Sequence, residues 1–289
     1  MCSSDLFFRK EIQFPFFEHY LKGKPEPALP KAYVFETGSN AWRKYDAWPP
    51  KPVVAKTLYF HANGGLSFEA PTERESKDEY VSDPAHPVPF VEYVTDTVPQ
   101  RYMTDDQRFA TRRSDVLVYQ TEPLDEDVTI AGPISPKLRI ASTGTDADFV
   151  VKLIDVYPQS YPNNMPIDPA MGKRIVAAPP VLMGGFEQLV RGEPMRAKFR
   201  NSWEKPEALV PGKETEVNFT MQDVNHTFRK GHRIMVQVQS SWFPLVDRNP
   251  QTFTNIPTAK PEQFVKATET VFHSAGAASG VEVLVLPQP

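Results

Sequence analysis

Apolar and polar residues alternate with a period of two along much of this chain, and this pattern constrains the fold more than any other feature. Residues 214–221, 233–239 and 281–285 show it most clearly. Successive side chains of a β-strand point to opposite faces of a sheet, so each segment predicts a strand with one face on a core. Thirty prolines are spread along the chain. They favour a sheet protein with many loops, because proline is excluded from helix interiors and central strands.

Other segments extend this prediction. Residues 149–157 (FVVKLIDVY) are almost continuously apolar, which is typical of a central strand buried on both faces. The Asn63-Gly64-Gly65 turn after residues 57–61 predicts a hairpin. About ten strands, with no alternation of strands and helices, predict an all-β, two-sheet sandwich of the jelly-roll kind. The remaining predicted strands are residues 33–37, 57–61, 116–121, 137–141, 195–199 and 270–272.

The first part of the chain carries the one clear helical pattern. Its apolar residues are four apart: Phe8, Ile12, Phe16 and Tyr20. Pro15 interrupts the pattern and predicts the start of a second short helix, and Gly23 is placed to cap its C-terminal end. A helix that is apolar on one face needs a surface to pack on.

Composition excludes several classes of function. The net charge is −4, so the chain lacks the basic footprint of a nucleic-acid-binding protein. Cys2 is the single cysteine, which rules out an intramolecular disulfide and a metal site of several cysteines. No apolar run is long enough to span a membrane. We predict no cofactor, no metal, no nucleic-acid partner and no membrane partner.

Catalytic motifs are not recognisable. Residues 65–69 (GLSFE) begin like a nucleophile elbow and lack its closing glycine. His226 and His232 flank a turn, where they either bind a metal or hydrogen-bond loop backbone, and we favour the second interpretation. Asp146 and Asp148 resemble half of a calcium loop, but a turn in which aspartate caps backbone amides fits better. A long proline-rich loop is expected over residues 158–183.

The densest local cluster is residues 240–250 (SSWFPLVDRNP), which follows a well-patterned strand. It combines two large aromatic residues with an Asp-Arg-Asn triplet. Tryptophan and arginine are enriched at interface hot spots, so an exposed cluster predicts a binding surface. A buried cluster predicts a core corner with an internal ion pair. An interdomain contact, a ligand site and plain core all remain open on the residues alone.

From this cluster the chain is identified as resembling the C-terminal sandwich of the Xaa-Pro dipeptidyl-peptidase and cocaine esterase (CocE/NonD) serine hydrolases, most of all the α-amino-acid ester hydrolases. The resemblance covers nearly the whole chain, and the combination of its motifs is specific. The motifs that carry it are residues 8–23, 37–42, 80–89, 106–117, 145–156 and 226–251.

The resemblance implies a galactose-binding-like sandwich, preceded in such enzymes by an α/β-hydrolase domain with a Ser-Asp-His triad and a helical cap. The triad would lie upstream, so no catalytic residue is assigned in this chain. The expected partners are that missing hydrolase domain and an ester or amide substrate. A homo-oligomer, in which further copies of the chain are partners, is also compatible with the resemblance. The candidates for the interdomain surface or active-site wall are Phe8, Phe16, Trp242, Phe243, Asp247, Arg248 and Asn249.

The expected division of the chain has three parts. Residues 1–6 resemble the translation of a sequencing-adapter string and are expected to be a non-native leader. Residues 7–30 would form a helical junction to the missing domain, and residues 31–289 the sandwich. The alternatives are a free-standing jelly-roll module that binds carbohydrate or another ligand, and a purely structural domain. If the junction lacks its partner, we expect an exposed apolar patch around Phe8, Phe16 and Trp242.

Overall fold

The computed structural model describes residues 3–164 and 180–288, and within them the chain forms fourteen strands and a few short helices. The strands are β1 (Ala32–Glu36), β2 (Ala41–Tyr45), β3 (Val54–His61), β4 (Gly65–Ser67), β5 (Lys77–Ser82), β6 (Val116–Gln120), β7 (Val128–Ser142), β8 (Asp148–Val156), β9 (Glu187–Arg196), β10 (Thr215–Asn218), β11 (Met221–Phe228), β12 (Arg233–Gln239), β13 (Ala267–Phe272) and β14 (Gly280–Leu286).

Twelve of the strands build two layers around one core. In the first layer the long strand β7 pairs with β10 and β11 on one side and with β13 and β14 on the other. Strands β5 and β3 extend this layer beyond β13 and β14. The second layer has the order β6-β12-β8-β9, and β4 joins β3 to β6. The predicted all-β sandwich is confirmed.

The core lies between the two layers because each strand turns one apolar row inward. Ile130, Ile134 and Leu138 of β7 are fully buried, and they belong to one cluster with Leu153 of β8 and Val236 of β12. Burying a side chain of this size contributes about 1.5–3 kcal/mol. The alternating pattern therefore specifies which face of each strand turns inward.

The outer face of the second layer is also covered. Val150 and Ile154 of β8 and Met235 of β12 pack against Phe90 and Trp242, outside the main core. Consequently β8 is buried on both faces, as its continuous apolar run predicts. Strand β12 differs from its prediction of one solvated face, because its polar row is covered as well.

A separate hairpin of β1 and β2 carries the helical segment at the start of the chain. That segment comprises α1 (Ser3–Phe7), a π-helical stretch (Phe8–Gln13) and α2 (Phe14–Lys22). Pro15 lies in the first turn of α2, and Gly23 ends it in the left-handed region with φ 66°. Both positions agree with the prediction. A third helix, α3 (Arg108–Thr111), lies in the segment that covers the second layer.

Several predicted strands are longer or differently bounded. Strand β7 extends well beyond the predicted residues 137–141, and the segment 214–221 is divided between β10 and the start of β11. The hairpin at Asn63 is confirmed, since His61 pairs with Gly65 across the turn. Of the expected loop at residues 158–183, most lies outside the described residues; Asn164 and Val181 exchange backbone hydrogen bonds of 3.0 and 2.8 Å.

Candidate functional site

The helical segment presents aromatic side chains to solvent. Phe7 and Phe8 stack on Trp42 of β2, with ring centroids 5.4 and 6.2 Å apart. From Phe8 to Lys22 no residue is buried. The exposed apolar side chains of this stretch, here called the aromatic helical face, are Phe8, Phe14, Phe16, Phe17, Tyr20 and Leu21. The expected exposure of Phe8 and Phe16 is therefore confirmed.

The β1–β2 hairpin is anchored to the sandwich by a row of polar groups that runs from the exposed Thr37 to the buried His226 and Asp155. Thr37 exchanges backbone hydrogen bonds of 2.9 Å with Asn225 and Thr227, and its hydroxyl lies 2.7 Å from His226 Nδ1. His226 Nε2 lies 3.2 Å from Asp155 Oδ2, and His232 Nδ1 lies 2.8 Å from Asp155 Oδ1. The expectation that these histidines bind loop backbone is wrong. Asp155, in the middle strand β8, gives both rings a buried acceptor instead.

The hydrogen bonds of the two imidazoles lower the pKa of Asp155, although burial opposes this effect. A row of hydroxyl, imidazole and carboxylate resembles a nucleophile, base and acid in composition. Acyl transfer also needs free backbone N–H groups beside the nucleophile. The Thr37 N–H is already donated to the Asn225 carbonyl. The row therefore acts as an anchor for the hairpin.

A second hydroxyl–imidazole pair lies at the β3–β4 hairpin. His61 Nε2 is 2.9 Å from Ser67 Oγ, and the Glu69 N–H donates to the same oxygen at 3.1 Å. Among the described residues no carboxylate bonds to the other nitrogen of His61. This pair stabilises the turn, and neither residue was nominated from sequence as a nucleophile.

Trp242 is buried, with 5 % of its surface exposed, so the expectation that it belongs to an exposed apolar patch is wrong. Residues 83–113 cover the second layer and enclose the indole: Tyr102 contacts it edge-on at 6.4 Å. The ammonium group of Lys152 lies 5.3 Å from the indole centroid. A Cβ at Gly192 would come within 2.8 Å of the indole edge. The absence of a side chain there therefore leaves room for the ring.

The residues after Trp242 divide between surface and interior. Phe243 is partly exposed, and Arg248 lies between the rings of Phe243 and Phe264 at 5.4 and 5.3 Å. Arg248 also donates to the Pro84 carbonyl at 2.8 Å. Asp247 is exposed and forms no ion pair with Arg248 among the described contacts. The internal Asp-Arg pair that a buried corner predicts is thus not formed.

Asn249 is buried and has a structural role. Its amide donates to Asp148 Oδ1 at 2.8 Å, and its oxygen accepts from the Gln251 N–H at 2.8 Å. Arg196 approaches the other oxygen of Asp148 at 3.3 Å. Burial raises the pKa of Asp148 to about 6. The neighbouring Asp146 caps the backbone N–H groups of Ala147 and Lys198, as its turn motif predicts.

The sequence did not predict two buried ionisable groups that lie beneath the covering segment, residues 83–113. Lys152 of β8 donates to Gln107 Oε1 at 3.1 Å, and Glu187 of β9 accepts from the Thr111 hydroxyl. Burial lowers the pKa of Lys152 to about 7 and raises that of Glu187 to about 7. The apolar run of residues 149–157 predicts the burial of Lys152 but not its partner Gln107, and Glu187 has no such signal.

Glu269 of β13 is a third such group, inside the sandwich. Ser142 donates to its Oε1 at 3.0 Å, while its Oε2 has no partner. Burial raises the pKa of Glu269 to about 8. In the described part of the chain no three His, Cys, Asp or Glu side chains converge to hold a metal ion. No helix of that part is long and apolar enough to cross a membrane.

Together these features define a class: a β-sandwich domain whose polar clusters serve architecture and whose aromatic helical face lies outside the core. The family model of the X-Pro dipeptidyl-peptidase C-terminal non-catalytic domain matches residues 27–282. The chain belongs to this family, the C-terminal domains of CocE/NonD-type hydrolases, as the motifs predicted.

Known relatives support the assignment. The cocaine esterase of Rhodococcus sp. (strain MB1 Bresler) is 31% identical over 272 residues, covering 89% of this chain and 42% of the relative. An aminopeptidase from the marine sediment archaeon Thaumarchaeota archaeon is 40% identical with a TM-score of 0.87, over 99% of this chain and 46% of that one. An α-amino acid ester hydrolase is 38% identical with the same TM-score and the same coverage. The chain thus spans less than half the length of these relatives.

Proposed function

We propose that this chain is the non-catalytic sandwich of a serine hydrolase that cleaves esters or amides with an α-amino acyl group. The reaction would proceed through an acyl-enzyme on a catalytic domain outside this chain. The names of the relatives support this substrate class, since they include an aminopeptidase and an α-amino acid ester hydrolase. The chain alone would not hydrolyse such substrates.

The observation that carries this proposal is the aromatic helical face. Six large apolar side chains on one short segment are exposed, and Leu21 keeps 75% of its surface accessible. Such a patch marks an interaction site on a soluble protein. Phe7 and Phe8 hold the segment to Trp42 of the β1–β2 hairpin, and Phe8 and the other aromatic side chains of the face stay exposed enough to contact a partner. We assign this face to the catalytic domain.

Phe243 and Asp247 would form a second, smaller part of the interdomain surface. Both side chains are exposed, and two residues close to them in the chain, Trp242 and Asn249, are buried. Arg248 fixes the ring of Phe243 by stacking on it, so little side-chain entropy would be lost on docking. Of the seven candidate residues, Phe8, Phe16, Phe243 and Asp247 would thus contact the partner, and the other three would support them.

The proposal is tested with the α-amino acid ester hydrolase as the source of a catalytic domain. A chimera would carry this chain in place of the segment that it matches. We expect the chimera to hydrolyse an amino-acid ester and the purified 289-residue chain to give no turnover above background. A folded chimera without activity, or serine-reagent-sensitive turnover by the chain alone, would contradict the proposal.

A further inference from the structure

A groove of about 400 Å³ lies between β9 and the turn from β10 to β11, beside an unusually exposed tryptophan. Trp203 keeps 72% of its surface accessible, more than any other large aromatic side chain of the described residues. The groove is lined by side chains of mixed chemistry, among them Phe199, Phe219, Glu193, Asn201 and Asn218. Its volume is within the range of small-molecule sites, roughly 300–1,000 Å³.

The loop that presents Trp203 is built rigidly. The Arg200 guanidinium donates to three backbone carbonyls, those of Ala197, Glu207 and Ala208, at 2.8–3.2 Å. Asn201 donates to the Glu207 carboxylate at 2.7 Å. Ser202 Oγ accepts two backbone N–H groups at 3.2 Å, which tightens the turn around Trp203. A ligand would therefore bind without first ordering this loop.

The indole of Trp203 is held in one orientation. It stacks on Phe199 with ring centroids 6.0 Å apart and an interplanar angle of 27°. Phe199 supports the ring, and the large exposed fraction means that much of the indole faces solvent. The arrangement is a flat aromatic platform with one supported side. Such a platform binds the apolar face of a ligand through dispersion and burial of area.

The charges of the groove select against anions. The lining has one cation, Arg200. Its guanidinium already donates to backbone carbonyl groups and pairs with the Glu207 carboxylate at 3.7 Å. Glu193 adds a negative charge, and the amide oxygens of Asn201 and Asn218 accept no hydrogen bond among the described contacts. The groove therefore offers hydrogen-bond acceptors beside an aromatic platform, which suits a neutral ligand rich in hydroxyl donors.

We propose that the Trp203 groove binds a neutral saccharide. A pyranose ring has an apolar C–H face that matches the indole platform and equatorial hydroxyl groups that reach Glu193, Asn201 and Asn218. A cationic ammonium ligand would also be attracted to an indole beside a carboxylate. The saccharide fits better, because the other two lining rings, Phe199 and Phe219, are half-buried against the core, while the amide groups of Asn201 and Asn218 flank the exposed indole. This inference is independent of the hydrolase that the chain serves.

The test is calorimetric titration of the whole 289-residue chain with cellobiose, maltose and lactose, each to about 10 mM. We expect saturable binding of at least one disaccharide. Trp203→Ala should weaken it about tenfold, the effect of losing one aromatic contact of about 1.4 kcal/mol. Asn218→Ala should weaken it by a smaller factor. Phe253→Ala, which removes an exposed ring from the neighbouring cavity, should leave it unchanged.

Three outcomes would overturn the proposal. The first is the absence of saturable binding of all three disaccharides to the wild-type chain. The second is binding that Trp203→Ala leaves unchanged, with the circular dichroism spectrum of the variant matching that of the wild type. The third is binding of choline in place of the sugars, which would reassign the groove to ammonium ligands. Trp203→Phe keeps an aromatic platform and should retain part of the affinity, which separates stacking from a general effect on the loop.

Discussion

Replacing Glu269 by glutamine should remove much of the pH dependence of this domain's stability. Burial raises the pKa of Glu269 from 4.5 to about 8, so the folded state holds this proton more tightly than the unfolded state. Its contribution to stability is complete below pH 4.5 and is lost as the pH rises towards 8. At about 1.4 kcal/mol per pH unit, the difference corresponds to roughly 5 kcal/mol, an upper value for a single buried carboxyl group.

Glutamine has the shape of the protonated acid and cannot ionise. Its amide oxygen can accept the Ser142 hydroxyl as Oε1 does, while its NH2 group would take the place of the unpartnered Oε2. The protonated acid already leaves one buried O–H donor unpartnered there, and the NH2 group adds a second donor, which costs about 1–3 kcal/mol. We therefore expect Glu269→Gln to be destabilising at pH 5 and stabilising at pH 9, by about 2–4 kcal/mol there.

Urea unfolding at a series of pH values measures this directly, with the difference between variant and wild type taken at each pH. The other buried groups, among them Glu187 and Lys152, titrate in both proteins and cancel in that difference. Glu282→Gln, on an exposed position of β14, which also pairs with β7, is the matched control and should give a flat difference. A flat difference for Glu269→Gln as well would refute the account of its burial.

Two further substitutions test the packing around the proposed interdomain surface. Trp242→Ala should lower the free energy of unfolding by about 3–5 kcal/mol, because it leaves a large cavity. Thermal unfolding measures this change, and a decrease of less than about 1 kcal/mol would show that the indole does not belong to the core. Thr37→Val should leave His226 Nδ1 without its hydroxyl partner and cost about 1–3 kcal/mol. Hydrogen exchange should then rise in the β1–β2 hairpin and not in β8, whereas a uniform rise would contradict its role as a local anchor.

The sandwich was predictable because its strands carry their burial pattern in the sequence. The apolar run of residues 149–157 predicts a strand buried on both faces, and both faces of β8 are buried in the structure. The pattern fails where tertiary contacts cover a polar row. Gln237 and Gln239 alternate with apolar residues as a solvated face would, yet both are fully buried in β12. Strand β5, with three charged residues among its six, has no readable apolar pattern.

The candidate site was predictable only in part, because its contacts join residues distant in the chain. The helical spacing of Phe8 and Phe16 predicts an apolar face, and their exposure was expected from a partner domain that this chain does not contain. The burial of Trp242 depends on residues 83–113, which no local pattern connects to it. Asp155 lies 71 residues from His226, so their hydrogen bond could not be read from spacing. Glu269 has no local signal of burial, since its side chain would also suit a solvated strand position. The burial of Lys152 follows from the apolar run around it, but its partner Gln107 lies 45 residues away.

The most direct test of the central claim is the activity of the chimera with an altered aromatic helical face. Phe14→Asp with Phe17→Asp places two charges on exposed positions of α2, where they should spare the sandwich and disrupt docking. We expect the rate of amino-acid ester hydrolysis to fall at least tenfold, with the unfolding transition of the sandwich unchanged. Val210→Asp places a charge on an exposed apolar position of a loop outside the helical segment, and this control should keep the full rate. Full activity of the double variant would contradict the assignment of this face to the catalytic domain.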